Sequence, residues 1–296
     1  MYSDNLENIM SGEKRSNDIF AGTPGDRAKM TGMPVRNTLK DDFGLDIPTE
    51  LVPLPSRGKV YPEGTPLHNA ETVEIRPMTA REEDILTSRA LIKKGTVISE
   101  LIKSCLIDKT IDPNNLIAGD RNAIMTSLRI TGYGGDYTAE VSCPECKETG
   151  KQCFDLTTLP LKLLDDDPVQ VGQNLFSFEL PYTKKTVKFK FLDGCDEAEI
   201  NKLQARSKKS GSKNSNMITL RYRYQIQDVA GITDKTKIQM FIRNMPARDS
   251  RALRAHIDSI EPGIEMKSWM ECAMCGEESE VRMPLGASFF WPDAER

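Results

Sequence analysis

The order of apolar and polar positions divides the chain into an irregular N-terminal segment and a patterned body. Through residues 1–50, apolar residues are scattered singly among Gly, Asp, Asn, Ser and Lys, without a helical or strand period. Such a segment buries too little apolar surface to offset the entropy lost on ordering. We therefore expect an arm that is either disordered or ordered against a partner through Phe20, Phe43 and Leu45.

Residues 51–136 carry the pattern of an extended entry followed by a helical N-terminal part of the body. Prolines and glycines in LVPLPSRGKVYPEGTPL favour an extended, turning path, and ETVEIRPMT alternates as a short strand. Three helices are expected to follow, with capping residues at Thr79, Thr96 and Asp120. The first has a capping-box pattern, with Glu82 three residues after its cap, and is predicted to reach Gly95.

The rest of the body alternates strands with helices. A strand, a tight turn and a strand are predicted at 137–156 and again at 266–296, where an aromatic tail ends the chain. Between them, 157–265 is expected to form an inserted α+β subdomain with a hairpin and several helices. One of these is predicted over MITLRYRYQIQDVAGI, and the next two are capped by Asp234 and Asp249. The predicted class is α+β, a helical body with short antiparallel strands.

Four of the seven cysteines form two C-x-x-C pairs, one in each of the two strand–turn–strand segments: Cys143, Cys146, Cys272 and Cys275. In a zinc ribbon, each such pair lies at the tip of a hairpin, and two hairpins meet to give the tetrahedral thiolate shell that Zn²⁺ prefers. About 125 residues separate the pairs, whereas ribbons usually keep their halves ~15–20 residues apart. The sequence therefore predicts a split zinc ribbon, with one structural Zn²⁺ per chain.

Other uses of these cysteines remain open from the sequence. Paired disulfides, redox thiols or an iron–sulfur centre could use the same spacing, although the strand-like flanks differ from the helix N-terminus that activates a redox thiol. Cys105, Cys153 and Cys195 stand outside the pairs and are expected to be small core residues.

Composition and charge narrow the function classes. The chain has 296 residues and a formal net charge of −4, which requires neither nucleic acid nor an anionic membrane as partner. No run approaches the ~20 apolar residues needed to span a bilayer, and the polar N-terminus differs from a signal peptide. We therefore expect a chain that stays in a cytoplasm, where thiols are kept reduced.

Motifs for catalysis are missing from the sequence. It has two histidines, His68 and His256, and lacks a nucleophile elbow, a zinc-protease motif and a phosphate-binding loop. We expect no enzyme activity and no small-molecule substrate. The runner-up function is a zinc-ribbon protein that binds nucleic acid through basic residues interleaved with tyrosines, namely Lys208, Lys209, Lys213, Arg221 and Arg223.

Several stretches, taken in order, resemble one protein family. Besides the two cysteine turns, they are LPSRGKVYP (54–62), MTAREEDILTSRALIKKGTVISELIKSCL (78–106), GDRNAIMTSLRITGYG (119–134), MPARDSRALRAHI (245–257), EPGIEM and LGASFFWP (285–292). The family is that of baseplate proteins of T-even-like contractile-tailed phages, described as baseplate hub subunits or hub assembly proteins. The resemblance covers roughly residues 50–292.

The resemblance implies a non-enzymatic role in the virion tail baseplate, assembled in the host cytoplasm through contacts with other hub or wedge proteins. Large aromatic residues near the chain end are candidates for such contacts, as is one tyrosine of the Pro-rich entry: Tyr61, Phe289, Phe290 and Trp291. The alternative is that these side chains pack into the chain's own core.

Overall fold

The first elements that the structure describes are short strands. The structure, a computed structural model, describes residues 38–40, 46–209, 216–283 and 289–290. Four strands come first: β1 (Thr38–Lys40), β2 (Asp46–Pro48), β3 (Glu50–Pro53) and β4 (Thr72–Ile75). Strand β1 pairs antiparallel with β2, and β3 pairs antiparallel with β4. Most of the predicted N-terminal arm, including Phe20, Phe43 and Leu45, lies outside the described residues.

Four helices follow: α1 (Ala80–Thr87), α2 (Arg89–Lys94), α3 (Val97–Cys105) and α4 (Ala118–Tyr133). The predicted pairing of Thr79 with Glu82 is confirmed, since the Glu82 carboxylate accepts the Thr79 backbone N–H at 2.9 Å. The single helix predicted from Thr79 to Gly95 is wrong. Ser88 takes an extended conformation and divides it into α1 and α2.

The predicted cap of α4 is also wrong. This helix begins at Ala118, so Asp120 lies within its first turn. There the fully buried carboxylate of Asp120 accepts three hydrogen bonds from the Pro-rich entry. The donors are the Ser56 backbone N–H at 3.0 Å, the Ser56 hydroxyl at 2.6 Å and the Tyr61 hydroxyl at 2.5 Å. A buried carboxylate requires hydrogen-bond donors, and the groups of Ser56 and Tyr61 supply them to Asp120.

Two hairpins lie before and after the middle segment of the chain in sequence. The first is β5 (Asp136–Ser142) with β6 (Thr149–Asp155), and the second, near the C-terminus, is β12 (Lys267–Glu271) with β13 (Glu278–Arg282). Strand β5 alternates strictly between exposed and buried residues, with Tyr137, Ala139 and Val141 inward. This period-2 pattern is what a strand with one face on a core requires.

The middle of the chain is a mixed unit. Its strands are β7 (Leu161–Lys162), β8 (Phe176–Glu179), β9 (Thr186–Phe189), β10 (Ile226–Val229) and β11 (Gly263–Ile264). Its helices are α5 (Gly194–Lys209), α6 (Met217–Gln225), α7 (Lys235–Asn244) and α8 (Ala247–Ile260). Strands β8, β9 and β10 form one antiparallel sheet, and β7 pairs with β11. The α+β class is confirmed.

One predicted helix of this unit is partly wrong. The run from 217 to 232 is helical only through Gln225, after which Ile226 to Val229 pair with β9. Ile226 and Val229 are both buried against the sheet. Branched apolar side chains fit a pleated, half-buried surface, so tertiary packing overrides the helical pattern.

The two later caps had different outcomes. Asp234 caps α7 as predicted, accepting the Lys237 backbone N–H at 2.8 Å. Asp249 does not open α8, which begins at Ala247. Its carboxylate instead accepts the backbone N–H groups of Tyr182 at 2.8 Å and Thr183 at 3.1 Å.

Three of the four aromatic residues proposed for partner contacts pack inside the chain, the alternative that the sequence left open. Tyr61, Phe289 and Phe290 are each at most 5% exposed. Phe289 meets Tyr137 edge-on with ring centroids 5.2 Å apart, and its carbonyl accepts the Arg129 Nε–H at 2.8 Å. Their burial corrects the expectation of a partner surface. Trp291 lies outside the described residues.

The three unpaired cysteines differ from expectation in two cases. Cys105 is buried as predicted, whereas Cys153 and Cys195 are exposed. Cys153 lies on the outer face of β6, opposite Thr138 of β5. None of the helices in the described ranges is long and apolar enough to cross a bilayer.

Candidate metal centre

The four paired cysteines lie at the tips of the two hairpins. Cys143 and Cys146 occupy the turn between β5 and β6, and Cys272 and Cys275 occupy the turn between β12 and β13. The strands below each turn place the two tips side by side. Cys143 and Cys272 are buried, Cys146 is half-buried and Cys275 is exposed, so the cluster lies at the surface.

The two turns share one backbone pattern, which we call a knuckle. In the first knuckle, the Cys143 N–H donates to the Glu148 carbonyl at 2.9 Å, and the Lys147 N–H donates to the Cys143 carbonyl at 3.0 Å. The second knuckle repeats both bonds, from Cys272 to Glu277 at 3.0 Å and from Gly276 to Cys272 at 2.8 Å. The chain has therefore folded two distant segments into the same local shape.

Each knuckle has a left-handed residue directly after its second cysteine. Lys147 has φ of 64° and Gly276 has φ of 72°. Glycine adopts this conformation without strain. In lysine the Cβ lies too close to the following carbonyl oxygen, so the conformation is strained. Gly150, the glycine that follows the first knuckle, lies in β6 opposite Val141. The sequence signal for Lys147 is its position, which matches that of Gly276.

The sulfur geometry fits one tetrahedral metal ion. All four Sγ atoms lie within 4.8 Å of one another, with Cys143–Cys275 at 3.8 Å and Cys146–Cys272 at 3.7 Å. Four sulfurs placed ~2.3 Å from a common centre in a tetrahedron lie ~3.8 Å apart. A disulfide would need ~2.05 Å between two sulfurs. All seven cysteines are free, so the four sulfurs are spaced as in a cluster that could hold a metal ion and not as in disulfides.

The electrostatics of the cluster also call for a cation. The backbone N–H groups of Cys275 and Met274 point at the Cys272 sulfur and lower its pKa to about 7. The Glu148 N–H lowers the pKa of Cys146, but desolvation and the neighbouring cysteines outweigh it and raise that pKa to about 12. Four close sulfurs cannot all ionise unless a positive charge offsets their repulsion. A divalent ion would supply that charge, and with four protein ligands it would keep no open position for substrate.

The predicted site residues therefore separate into two groups. The structure brings the four cysteines together, as the spacing of their pairs led us to expect. It buries Tyr61, Phe289 and Phe290 in the core, away from the surface. The backbone donors of Met274 and Cys275 were not anticipated, because a backbone N–H has no sequence signal beyond the turn that orients it.

The whole patterned body matches a known family. A family model described as T4 bacteriophage base plate protein matches residues 49–291, a range that contains both knuckles. The chain belongs to this family of T4-like phage baseplate proteins. The resemblance found in the sequence is confirmed at this level. No curated protein and no solved structure matches the chain significantly.

Proposed function

We propose that this baseplate protein is a non-enzymatic structural or assembly component of the hub region of a contractile tail, stapled by one structural Zn²⁺. The observation that carries the zinc is the group of four sulfurs within 4.8 Å of one another. The baseplate role rests on the family match over 49–291. The hub assignment is supported by the ordered stretches that resemble hub subunits and hub assembly proteins.

A structural metal suits a part that works by holding its shape. Zinc bound by four thiolates has a structural role, and its binding contributes about 10 kcal/mol or more to folding in small zinc domains. The expected partners are other hub or wedge proteins, which the chain meets in the host cytoplasm during assembly of the tail baseplate. No small-molecule substrate, membrane or nucleic acid is part of this proposal.

We further propose that 157–265 is a subdomain inserted between the two halves of the ribbon. Pairing of β7 with β11 supports the insertion, since Leu161 lies opposite Ile264 and Lys162 opposite Gly263. The chain thus leaves the first hairpin and returns to the second at neighbouring points. An insertion with adjacent ends leaves the ribbon's own geometry undisturbed.

The alternative, a nucleic-acid-binding ribbon, has less support. Its stacking residues are engaged, because the buried Tyr222 donates its hydroxyl to the Ser250 carbonyl at 2.6 Å and Tyr224 donates to Glu199 at 3.0 Å. Arg221 forms an ion pair with Glu197 at 3.2 Å. Lys213 lies outside the described residues.

Two measurements test the proposal. Elemental mass spectrometry of the purified chain should find one zinc per chain, lost in Cys143→Ser and kept in the exposed control Cys153→Ser. Baseplates assembled without this chain should incorporate the wild-type protein and the control. No metal, or a chain that stays outside the particles while binding nucleic acid with a steep salt dependence, would overturn the proposal.

A further inference from the structure

The outer face of the second hairpin is exposed, and its basic and acidic side chains lie at opposite ends. On this face, the β12–β13 register sets Lys267 opposite Arg282, Trp269 opposite Glu280 and Glu271 opposite Glu278. All six side chains are exposed, whereas Met270 and Val281 on the other face are buried. The face therefore has a basic end, a tryptophan at its centre and an acidic end beside the knuckle.

Both ends of this face place like charges directly across the two strands. Like charges in that position destabilise a hairpin. Lys267 is relieved at 3.3 Å by Glu265 and at 3.5 Å by Glu280. Across the part of the chain that the structure describes, no ion pair relieves Arg282, Glu271 or Glu278. The face therefore holds charges that have no ion-pair partner among the described residues.

Trp269 is the apolar centre of the same face. Its side chain is 69% exposed, although tryptophan is among the residues that gain most from burial at interfaces. The hairpin beneath it ends in the second knuckle, which the metal would hold rigid. This hairpin presents an exposed tryptophan between charges of both signs. Such a face is suited to bind another protein surface.

We propose that the occupant of this face is the same face of a second copy of the chain. A two-fold axis that lies between the faces, perpendicular to the strands, places β12 of one copy over β12 of the other in reverse direction. Lys267 then meets Glu271 of the second copy, Arg282 meets Glu278, and the two Trp269 rings stack. A two-fold contact makes every such pairing occur twice.

The charge order favours a second copy over a partner whose surface carries charges of one sign. A purely basic partner would satisfy the acidic end and repel Lys267 and Arg282, whereas the reversed copy neutralises both ends together. The remaining like-charge meeting is Glu280 with its own copy, and Lys267 already lies beside that carboxylate. Self-complementarity of this kind is what an isologous interface requires.

The size of the face sets the strength of the contact. Five residues of two strands span about 17 Å by about 10 Å, which is well below the ~800 Å² per partner of a stable protein interface. The dimer is therefore weak and salt-dependent in solution, and is strengthened where copies are held close together. Raising the salt from about 0.15 M to about 1 M shortens the Debye length from ~8 Å to ~3 Å and weakens it.

Sedimentation of the zinc-loaded full-length chain from micromolar to millimolar concentration tests the contact. We expect a concentration-dependent dimer whose dissociation constant rises at least tenfold in Trp269→Ala and at high salt. The matched control is Tyr182→Ala, another aromatic side chain that is 64% exposed, which should leave dimerisation unchanged. A chain that stays monomeric at millimolar concentration, or a dimer insensitive to Trp269→Ala, overturns the proposal.

Charge exchange gives the decisive second arm. The variants Lys267→Glu/Arg282→Glu and Glu271→Lys/Glu278→Lys should each lose self-association, and an equal mixture of the two should regain it as a heterodimer. A mixture that remains monomeric contradicts the reversed pairing. Zinc content is measured for every variant, so failure of this dimer is distinguishable from failure of the proposed metal site.

Discussion

The cysteine cluster and the Asp120 network both join distant segments, by opposite means. The cluster brings Cys143 to Cys275 across 132 positions near the surface, and the network brings Ser56 to Asp120 across 64 positions in the core. Asp120 is satisfied by hydroxyl and backbone donors from the chain itself. The cluster has no such internal solution, because its sulfurs repel one another once ionised.

This difference divides the tertiary structure into a part that we expect to depend on a metal and a part that does not. Contacts that the chain satisfies alone should form whenever the core closes, whereas we expect the knuckles to close fully only with a cation. Loss of the metal should therefore affect the two hairpins first. The helices around Asp120 depend on burial and hydrogen bonds, which persist without it.

The largest expected effect is removal of the metal. Chelation, or the double change Cys143→Ser/Cys272→Ser, should remove a binding free energy on the order of 10 kcal/mol from the folded hairpins. Hydrogen exchange should show early loss of protection in β5, β6, β12 and β13, with α4 protected longer. Simultaneous loss of protection in α4 would show that the two parts are not separable.

The Asp120 network should give the next largest effect. Asp120→Ala leaves the Ser56 and Tyr61 donors buried without an acceptor, and each unsatisfied group costs about 1–3 kcal/mol. We expect a loss of roughly 3 kcal/mol or more in the free energy of unfolding, measured with urea, at unchanged zinc content. The exposed Asp165→Ala should change stability little and serves as the control.

The pH dependence of this network gives a smaller, sharper test. Burial raises the pKa of the folded-state Asp120 carboxyl above its ordinary value, although hydrogen bonds from Ser56 and Tyr61 oppose the shift. At a pH between the unfolded and the folded pKa, Asp120 keeps its proton in the folded chain and has released it in the unfolded chain. The resulting stability is complete below about pH 4 and is lost as pH rises through the raised pKa.

Asp120→Asn should remove this pH dependence. We expect wild type to be most favoured over Asp120→Asn at acidic pH, with the difference shrinking as pH rises, in urea titrations of both proteins. The comparison cancels the release of zinc in acid, which both proteins share. A difference that grows with pH would mean that the folded pKa is lowered instead.

The smallest expected effect distinguishes the two knuckles. Gly276→Ala should cost about 1 kcal/mol, because the left-handed conformation disfavours a Cβ. A Cβ at Gly276 would meet no heavy atom within 4 Å, so the cost is backbone strain alone. Lys147→Gly should change stability in the opposite direction by less, since it also loses the Lys147 contact with the Pro144 carbonyl. Denaturation of the zinc-loaded variants measures both.

Local chemistry made part of the molecule predictable. The C-x-x-C pairs have a spacing that few other structures need, and the four sulfurs meet as that spacing implied. The pairing of Thr79 with Glu82 and the Asp234 cap act within one helical turn, so neighbouring residues suffice to predict them. The aromatic residues near the chain end could not be placed, because burial depends on what packs over them.

Asp120 and Asp249 show what only the tertiary structure decided. The sequence marked both as helix caps, and both do lie in the first turn of a helix. Each carboxylate turns away from its own helix to accept donors from a loop more than 60 positions distant, Ser56 in one case and Thr183 in the other. A carboxylate near a helix N-terminus is favoured by the helix dipole wherever its hydrogen bonds go.

The sequence by itself therefore determined the α+β class, the family and the four cysteines, since these follow from residue type and short spacing. The tertiary structure decided which carboxylates join distant segments, which aromatic side chains are buried, and that one hairpin face carries Trp269 between opposite charges. The physical reason is the sequence distance over which each interaction acts. A short motif is set by neighbours in the chain, whereas burial and long-range hydrogen bonds are set by whichever segments the closing core brings together.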